Sequence, residues 1–251
     1  MIQLQNIRKT YQTKEGEVPA LAGVSLSVAR GEFVSIVGPS GCGKSTLLNI
    51  MAGLEKQDGG QVFIEGKEQS GVSAAVGYMP QKDELFPWRS IWGNVTLGLA
   101  IQRKKDAAAE AHARELLERY GLGEFLAKTP RQLSGGMRQR CALIRTLAAD
   151  PKILLLDEPF SALDYQTRLR VSDDIAHIIR SEGKTAVLVT HDISESICLS
   201  DRVFVLSARP GRVKSVRDLA EFRGVAPQER REHPDFSVAF RDIWKELENG
   251  A

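Results

Sequence analysis

The run Phe33-Val34-Ser35-Ile36-Val37 passes directly into Gly38-Pro39-Ser40-Gly41-Cys42-Gly43-Lys44-Ser45, and this junction constrains the fold more than any other stretch. The first five residues are compact and β-branched, as a strand buried in a parallel sheet requires. The next eight fit the spacing G-x-x-x-x-G-K-[ST], and a helix is expected to start near Lys44 with Leu47, Leu48, Met51 and Leu54 on one face. Glycines let backbone N–H groups turn inward around phosphate oxygens, and the helix N-terminus adds a favourable dipole. In such a loop Lys44 would reach the β- and γ-phosphates of a nucleotide, Ser45 would ligate Mg2+, and Thr46 would bond the α-phosphate. The plainer reading is a glycine-rich turn, which the flanking strand and helix argue against.

Further along, Ile153-Leu154-Leu155-Leu156-Asp157-Glu158 is an apolar strand ending in two carboxylates. Beside a glycine loop, a strand-tip carboxylate such as Asp157 can hold Mg2+, and Glu158 is placed to polarise an attacking water as general base. Taken alone, the same stretch would read as a strand ending in solvated acids. Between the two lies Leu133-Ser134-Gly135-Gly136-Met137-Arg138-Gln139-Arg140, which opens a second helix and offers a second anion-binding N-terminus. One nucleotide does not need two such cradles from one chain, so this one is read as serving a nucleotide held by another copy. A plain cap with Ser134 as N-cap has the same geometry, and the pattern alone does not separate the two.

The organisation supports an α/β fold. The first thirty residues alternate in short apolar and polar runs (Ile2-Leu4, Val24-Leu26-Val28), the pattern of antiparallel strands, with a loop around Thr13 to Glu17. From about 82 to 149 the character turns helical, with a helix expected over Lys104 to Tyr120, Gly121 ending it, and Pro130 beyond. Strand–helix alternation then returns with Ile153–Leu156, a helix near Gln166–Ser181, and a strand Thr185–Thr190. The fold class is therefore α/β, with a P-loop NTPase core and mainly parallel sheet, an N-terminal antiparallel β subdomain, and an inserted α-helical subdomain. Residues 2–235 form the expected ATPase domain, and 236–251 a helical tail with Phe236, Phe240, Ile243, Trp244 and Leu247 at helical spacing. No internal repeat is visible, so one motor domain is expected rather than two.

The chain has 251 residues, and its formal charge of +2, with no strongly basic stretch, gives no sign of a nucleic-acid partner. Three cysteines (Cys42, Cys141, Cys198) lack metal-like spacing and suit a reducing compartment. The opening Met1-Ile2-Gln3-Leu4-Gln5 shows no secretory signal pattern, and no stretch approaches the roughly 18 apolar residues of a membrane helix. If the protein works at a membrane, another chain must cross it.

Taken in order, these segments resemble the ATP-binding subunit of an ABC transporter over nearly the whole length of the chain. The segment 133–137 matches that family's signature motif, with Met137 where the consensus has Gln. The resemblance implies a head-to-tail dimer with a second copy of the chain. Each ATP then lies between one glycine loop and the other copy's Ser134, Gly135 and Gly136. It implies further that Tyr11 stacks on adenine and that Gln81 senses Mg2+ and the attacking water. His191 is expected to contact the γ-phosphate and hold Glu158, and Asp164, in Ser161-Ala162-Leu163-Asp164, to carry information across the dimer. Leu85-Phe86-Pro87-Trp88 with Ile91-Trp92 either forms a groove for a helix of a transmembrane partner or fills the core of the helical insertion.

Those segments, with Met137 to Arg140, Asp157 to Asp164 and Ala208-Arg209-Pro210-Gly211-Arg212, resemble bacterial importers for nitrate, sulfonate, taurine or pyrimidine precursors. That implies transmembrane permease subunits, a solute-binding protein, and a peripheral place on the cytoplasmic face of the bacterial inner membrane. Export, and a soluble ATPase acting on nucleic acid, are the alternatives; the second would call for long coiled-coil arms, and no sustained heptads are present.

Overall fold

The computed structural model describes residues 2–14, 16–104 and 106–248. Met1, Glu15 of the first loop, Lys105 of the helical run and the last three tail positions, 249–251, lie outside the described residues.

The alternating N-terminal stretch is a hairpin. β1 (Ile2–Thr13) and β2 (Gly16–Val28) pair antiparallel, with Ile2 opposite Val28 and Leu4 opposite Leu26. Those four residues, with Ile7 and Val24, are buried, so the period-2 pattern sets the register. β3 (Phe33–Val37) is buried along its whole length and feeds the glycine loop, after which α1 (Lys44–Ala52) begins. Leu47, Leu48 and Met51 of α1 are buried as expected. Leu54 is not: the helix ends at Gly53, one residue too early to carry Leu54 on the same face, and its side chain is 59% exposed. β4 (Gly59–Ile64) and β5 (Lys67–Glu68) complete a four-stranded sheet in the order β2-β1-β4-β5.

β6 (Val76–Met79) leads into the helical region, made of α2 (Ile91–Val95), α3 (Leu97–Ile101), α4 (Ala107–Arg119) and α5 (Gly135–Leu147). α4 starts at Ala107, later than the run of helix-forming residues suggested, because the Asp106 carboxylate accepts the Ala109 N–H at 2.9 Å and caps the helix there. β7 (Ile153–Asp157), α6 (Tyr165–Ser181), β8 (Thr185–Val189), α7 (Ile193–Leu199) and β9 (Arg202–Leu206) restore the alternation. β10 (Val213–Asp218), α8 (Pro227–Arg230) and α9 (Phe236–Glu248) close the described chain.

The second sheet has six strands in the order β10-β9-β3-β8-β7-β6. Its strands from β9 to β6 are parallel, and only β10 runs against its neighbour. Leu154, Leu156, Ala186 and Leu188 share one core with Leu116, Leu117, Leu143 and Ile144 of the helical region. Leu155, Val187 and Ile36, pointing the other way, pack with α1 and the N-terminal hairpin. The sheet is thus apolar on both faces, as a covered parallel sheet must be. α9 packs back through Ala239 and Ile243, with Phe236, Phe240 and Leu247 against the same small core and Trp244 half-exposed. The 85–92 segment is split between core and surface. Leu85 and Ile91 are buried in the core, whereas Trp88 is 75% exposed and leans on Phe86.

Candidate functional site

The C-terminal ends of β3, β7 and β8 lie side by side, and the loops leaving them carry most of the residues singled out in the sequence. A cavity of about 350 Å³ opens there, lined by Tyr11, Ser40, Gly41, Gly43, Lys44, Ser45, Thr46 and Glu158, together with Ala20 and Arg209.

The glycine loop is shaped by close packing beneath it. Gly43 caps α1 at φ +101°, and a Cβ there would meet Ala20 O at 2.9 Å and Leu21 Cδ2 at 2.8 Å, so a side chain is excluded by conformation and by space. The Lys44 ammonium is buried and donates to the carbonyls of Gly38 (2.8 Å) and Pro39 (3.0 Å), which draws the loop closed around it. Gly38, Pro39 and Cys42 do not line the cavity; the Cys42 side chain is buried in the core, where burial pushes its thiol pKa up. At the other end, the Tyr11 hydroxyl lies 3.1 Å from Thr46 Oγ1 and donates to Glu55 at 2.8 Å, which holds the ring at the cavity mouth.

Asp157 ends β7 almost fully buried. It accepts hydrogen bonds from Ser45 Oγ (3.1 Å) and Tyr78 OH (3.2 Å). Burial raises its pKa; the two hydrogen bonds oppose that shift and the neighbouring Glu158 charge adds to it. Burial also raises the Tyr78 hydroxyl pKa, so that group stays a donor. Tyr78 belongs to the site and sequence reasoning missed it. Its position in an ordinary strand carries no signal until β6 is known to pair with β7. Among the described residues no group of three or more His, Cys, Asp and Glu could hold a metal ion. A cation at Ser45 and Asp157 would therefore rely on one carboxylate, one hydroxyl and outside oxygens, a donor set that suits Mg2+.

Glu158 takes φ +43°, a left-handed conformation that costs a side-chain-bearing residue energy and often marks functional positions. Its N–H donates to Val189 O at 2.9 Å, so the strain is imposed by the sheet edge. The Glu158 carboxylate lies 3.0 Å from His191 Nδ1, which brings together the two residues expected to act as a pair. His191 lies within a tight knot: Thr190 Oγ1 donates to the buried Glu195 at 2.7 Å and accepts the Asp192 N–H at 3.0 Å. Burial raises the Glu195 pKa to about 7.

The remaining expected residues lie apart from this cavity. Gln81 is exposed and donates to Ser161 Oγ at 3.2 Å, rather than joining Ser45 and Asp157. Ser161 in turn donates to Glu158 O at 3.0 Å, so Gln81 reaches the site through one hydroxyl. Asp164 caps α6 through the Thr167 N–H at 3.1 Å, and its hydrogen bonds to Thr167 hold its pKa low. Ser134 caps α5 through the Met137 N–H at 3.3 Å, and neither it nor Gly135 nor Gly136 lines the cavity. Arg168 ties these loops together, donating to Leu163 O at 3.3 Å and standing 3.6 Å from Asp192.

Comparison with known proteins follows the same lines. The family model for ABC transporters matches residues 21–161. YtlC of Bacillus subtilis, described as an uncharacterized ABC transporter ATP-binding protein, is 44% identical over 247 residues, covering 98% of this chain and 95% of its own. The aliphatic sulfonates import ATP-binding protein SsuB of Bacillus cereus is 38% identical over 215 residues, covering 86% and 84%. Among solved structures, the ATP-binding cassette MJ0796, a dimer in a post-hydrolysis state bound to ADP and Pi, superposes with a TM-score of 0.72 at 34% identity. It spans 87% of this chain and 99% of that one.

Proposed function

The chain belongs to the ABC transporter family, and from that membership we propose that it powers an importer, hydrolysing ATP to drive a small solute through a separate permease. The fold is that of a P-loop ABC ATPase. The observation that carries the reading is the arrangement of the two glycine-rich helix starts. One lines a cavity with Ser45 and Glu158, with Asp157 bonded to Ser45, while the other, at Ser134, stands outside that cavity in the same chain. A nucleotide in the cavity of one copy would be completed by Ser134, Gly135 and Gly136 of a second copy, head to tail.

In this reading Tyr11 stacks on the adenine, and the loop from Gly38 to Thr46, with Lys44, cradles the phosphates. Ser45 and Asp157, with Gln81, would hold Mg2+, which would supply neutralising charge at the phosphates. Glu158 takes a proton from the attacking water, and His191 at 3.0 Å fixes its orientation. Asp164, at the start of α6, carries the closure of one copy to the other. The proposed domain limits are 2–235 for the ATPase and 236–251 for the tail, whose α9 packs on the ATPase through Ala239 and Ile243.

Support for import comes from the sulfonate import relatives, at 38 to 41% identity. No helix among the described residues is long and apolar enough to cross a membrane, so permease subunits would be separate chains. The shallow apolar groove lined by Phe86, Leu97 and Ile101, with Glu84 and Arg145, is where a permease helix would dock, holding the protein on the cytoplasmic face of the inner membrane. A solute-binding protein would choose among sulfonate, nitrate, taurine or pyrimidine-type solutes.

The test is reconstitution with the permease encoded beside it, in vesicles loaded with ATP. Sulfonate or nitrate entering against its gradient supports the proposal; ATP-driven movement in the opposite direction overturns import.

A further inference from the structure

We infer that Arg209 is a further nucleotide-contacting residue, a guanidinium that pairs with the phosphate chain in the glycine-loop cavity; this rests on the reading of that cavity as the ATP site. The segment around it, singled out in the sequence, has no role in the mechanism above. The turn from Ser207 to Arg212 leaves β9 and is closed by Ser207 N–H to Arg212 O (2.9 Å) and Arg212 N–H to Ser207 Oγ (3.1 Å). Gly211 ties it to β2, donating to Ala20 O at 2.8 Å and accepting from the Ala22 N–H at 3.0 Å.

On its inner side the turn rests on the glycine loop itself. A Cβ on Gly211 would stand 2.2 Å from Cys42 O, so only glycine lets the two backbones meet. Turn and loop are therefore one packed unit, and Arg209 is delivered to the cavity wall, with Nη2 3.5 Å from where a Cβ on Gly41 would be.

The guanidinium has no structural task there. Arg138, Arg202 and Arg231 each stand against a carboxylate. Among the described residues Arg209 has neither an ion-pair nor a hydrogen-bond partner, and the one carboxylate lining the cavity, Glu158, is engaged by His191. The Lys44 ammonium is already shared between two carbonyls. An arginine stays charged at every accessible pH, and its planar fork matches two phosphate oxygens. The ligand chemistry that fits is the polyphosphate of the nucleotide, not its base or ribose.

Binding of adenosine, ADP and ATP to the full chain, measured by competition against a fluorescent ATP analogue, tests this with Arg209→Gln, Arg209→Lys and Lys44→Ala. Arg209→Gln should weaken ATP and ADP about tenfold while adenosine stays within about twofold, and Arg209→Lys should recover only part of the loss, because an ammonium keeps the charge but not the planar fork. ATP affinity within about twofold of wild type in Arg209→Gln overturns the inference. So does an equal loss for adenosine, which would mark a packing role. If Lys44→Ala loses ATP while Arg209→Gln does not, only Arg209 is wrongly placed. If Lys44→Ala binds ATP as wild type does, the cavity is not the nucleotide site and both readings fall.

Discussion

The two glycine-rich helix starts share a pattern on paper but are built differently. The one at Gly43 is held by long-range contacts: Ala20 and Leu21 beneath it, Ser45 bonded to Asp157, Tyr11 bonded to Thr46. The one at Ser134 is held by its own cap, with Leu163 against Gly135 and Val171 against Gly136. Neither of those neighbours offers a charge or a hydrogen bond. The first start has carboxylates beside it and, in the proposed reading, is half of a site; the second has an anion-binding geometry and no chemistry of its own. That asymmetry is what a site shared between two copies requires.

The strongest way to break the comparison is to remove the chemistry from the first region. Glu158→Gln should lower ATP turnover by at least about a hundredfold while ATP binding persists, and should let an ATP-bound dimer accumulate in light scattering. Wild-type turnover in that variant would displace Glu158 as the base. Next, Ser134→Arg should lower turnover roughly ten- to a hundredfold and block ATP-dependent dimerisation, because a bulky cation fills the second cradle. Affinity of the isolated chain for ATP should stay unchanged; a matching loss of affinity would place Ser134 in the first site and erase the asymmetry.

A third variant sharpens the comparison at the edge of the first region. The Glu195 pKa is raised above its unfolded value by burial, so its ionisation opposes folding. Its contribution to stability is fully present below the ordinary carboxyl value and is lost as pH rises through about 7. Glu195→Gln should therefore gain relative to wild type between about pH 4.5 and 7, by on the order of 1–3 kcal/mol in urea unfolding. A pH-independent difference would mean that Glu195 is not the titrating group. The smallest effect belongs to Tyr78→Phe, which removes one hydrogen bond to Asp157 and should cost about 1 kcal/mol in the same assay. Unchanged stability would show that the bond contributes nothing net.

Legibility followed the range of the interaction. The glycine loop, the apolar strand before Asp157 and the cap at Ser134 were readable because each depends on neighbours within a few residues. Leu54 was misplaced because helix length is decided by where the backbone turns left-handed, one residue before it. Tyr78 and Glu195 were invisible because their partners, Asp157 and Thr190, reach them through strand pairing and loop folding. Arg209 was noticed only as part of a familiar phrase; its place beside Gly41 depends on a turn packed against two other segments. Gln81 was expected near the cation and instead bonds Ser161, a choice made by the conformation of the loop joining sheet to helices.

By itself the amino-acid order determined where the glycine loop, the caps and the apolar strands lie and in what succession, because backbone turns, caps and strand patterns are local and strongly encoded. Only the tertiary structure decided that Asp157 is buried between Ser45 and Tyr78, that Glu158 lies within hydrogen-bond reach of His191, and that Ser134 stands outside the cavity. Burial and pairing depend on the whole sheet being assembled, since desolvation and hydrogen-bond geometry are properties of surroundings contributed by distant parts of the chain.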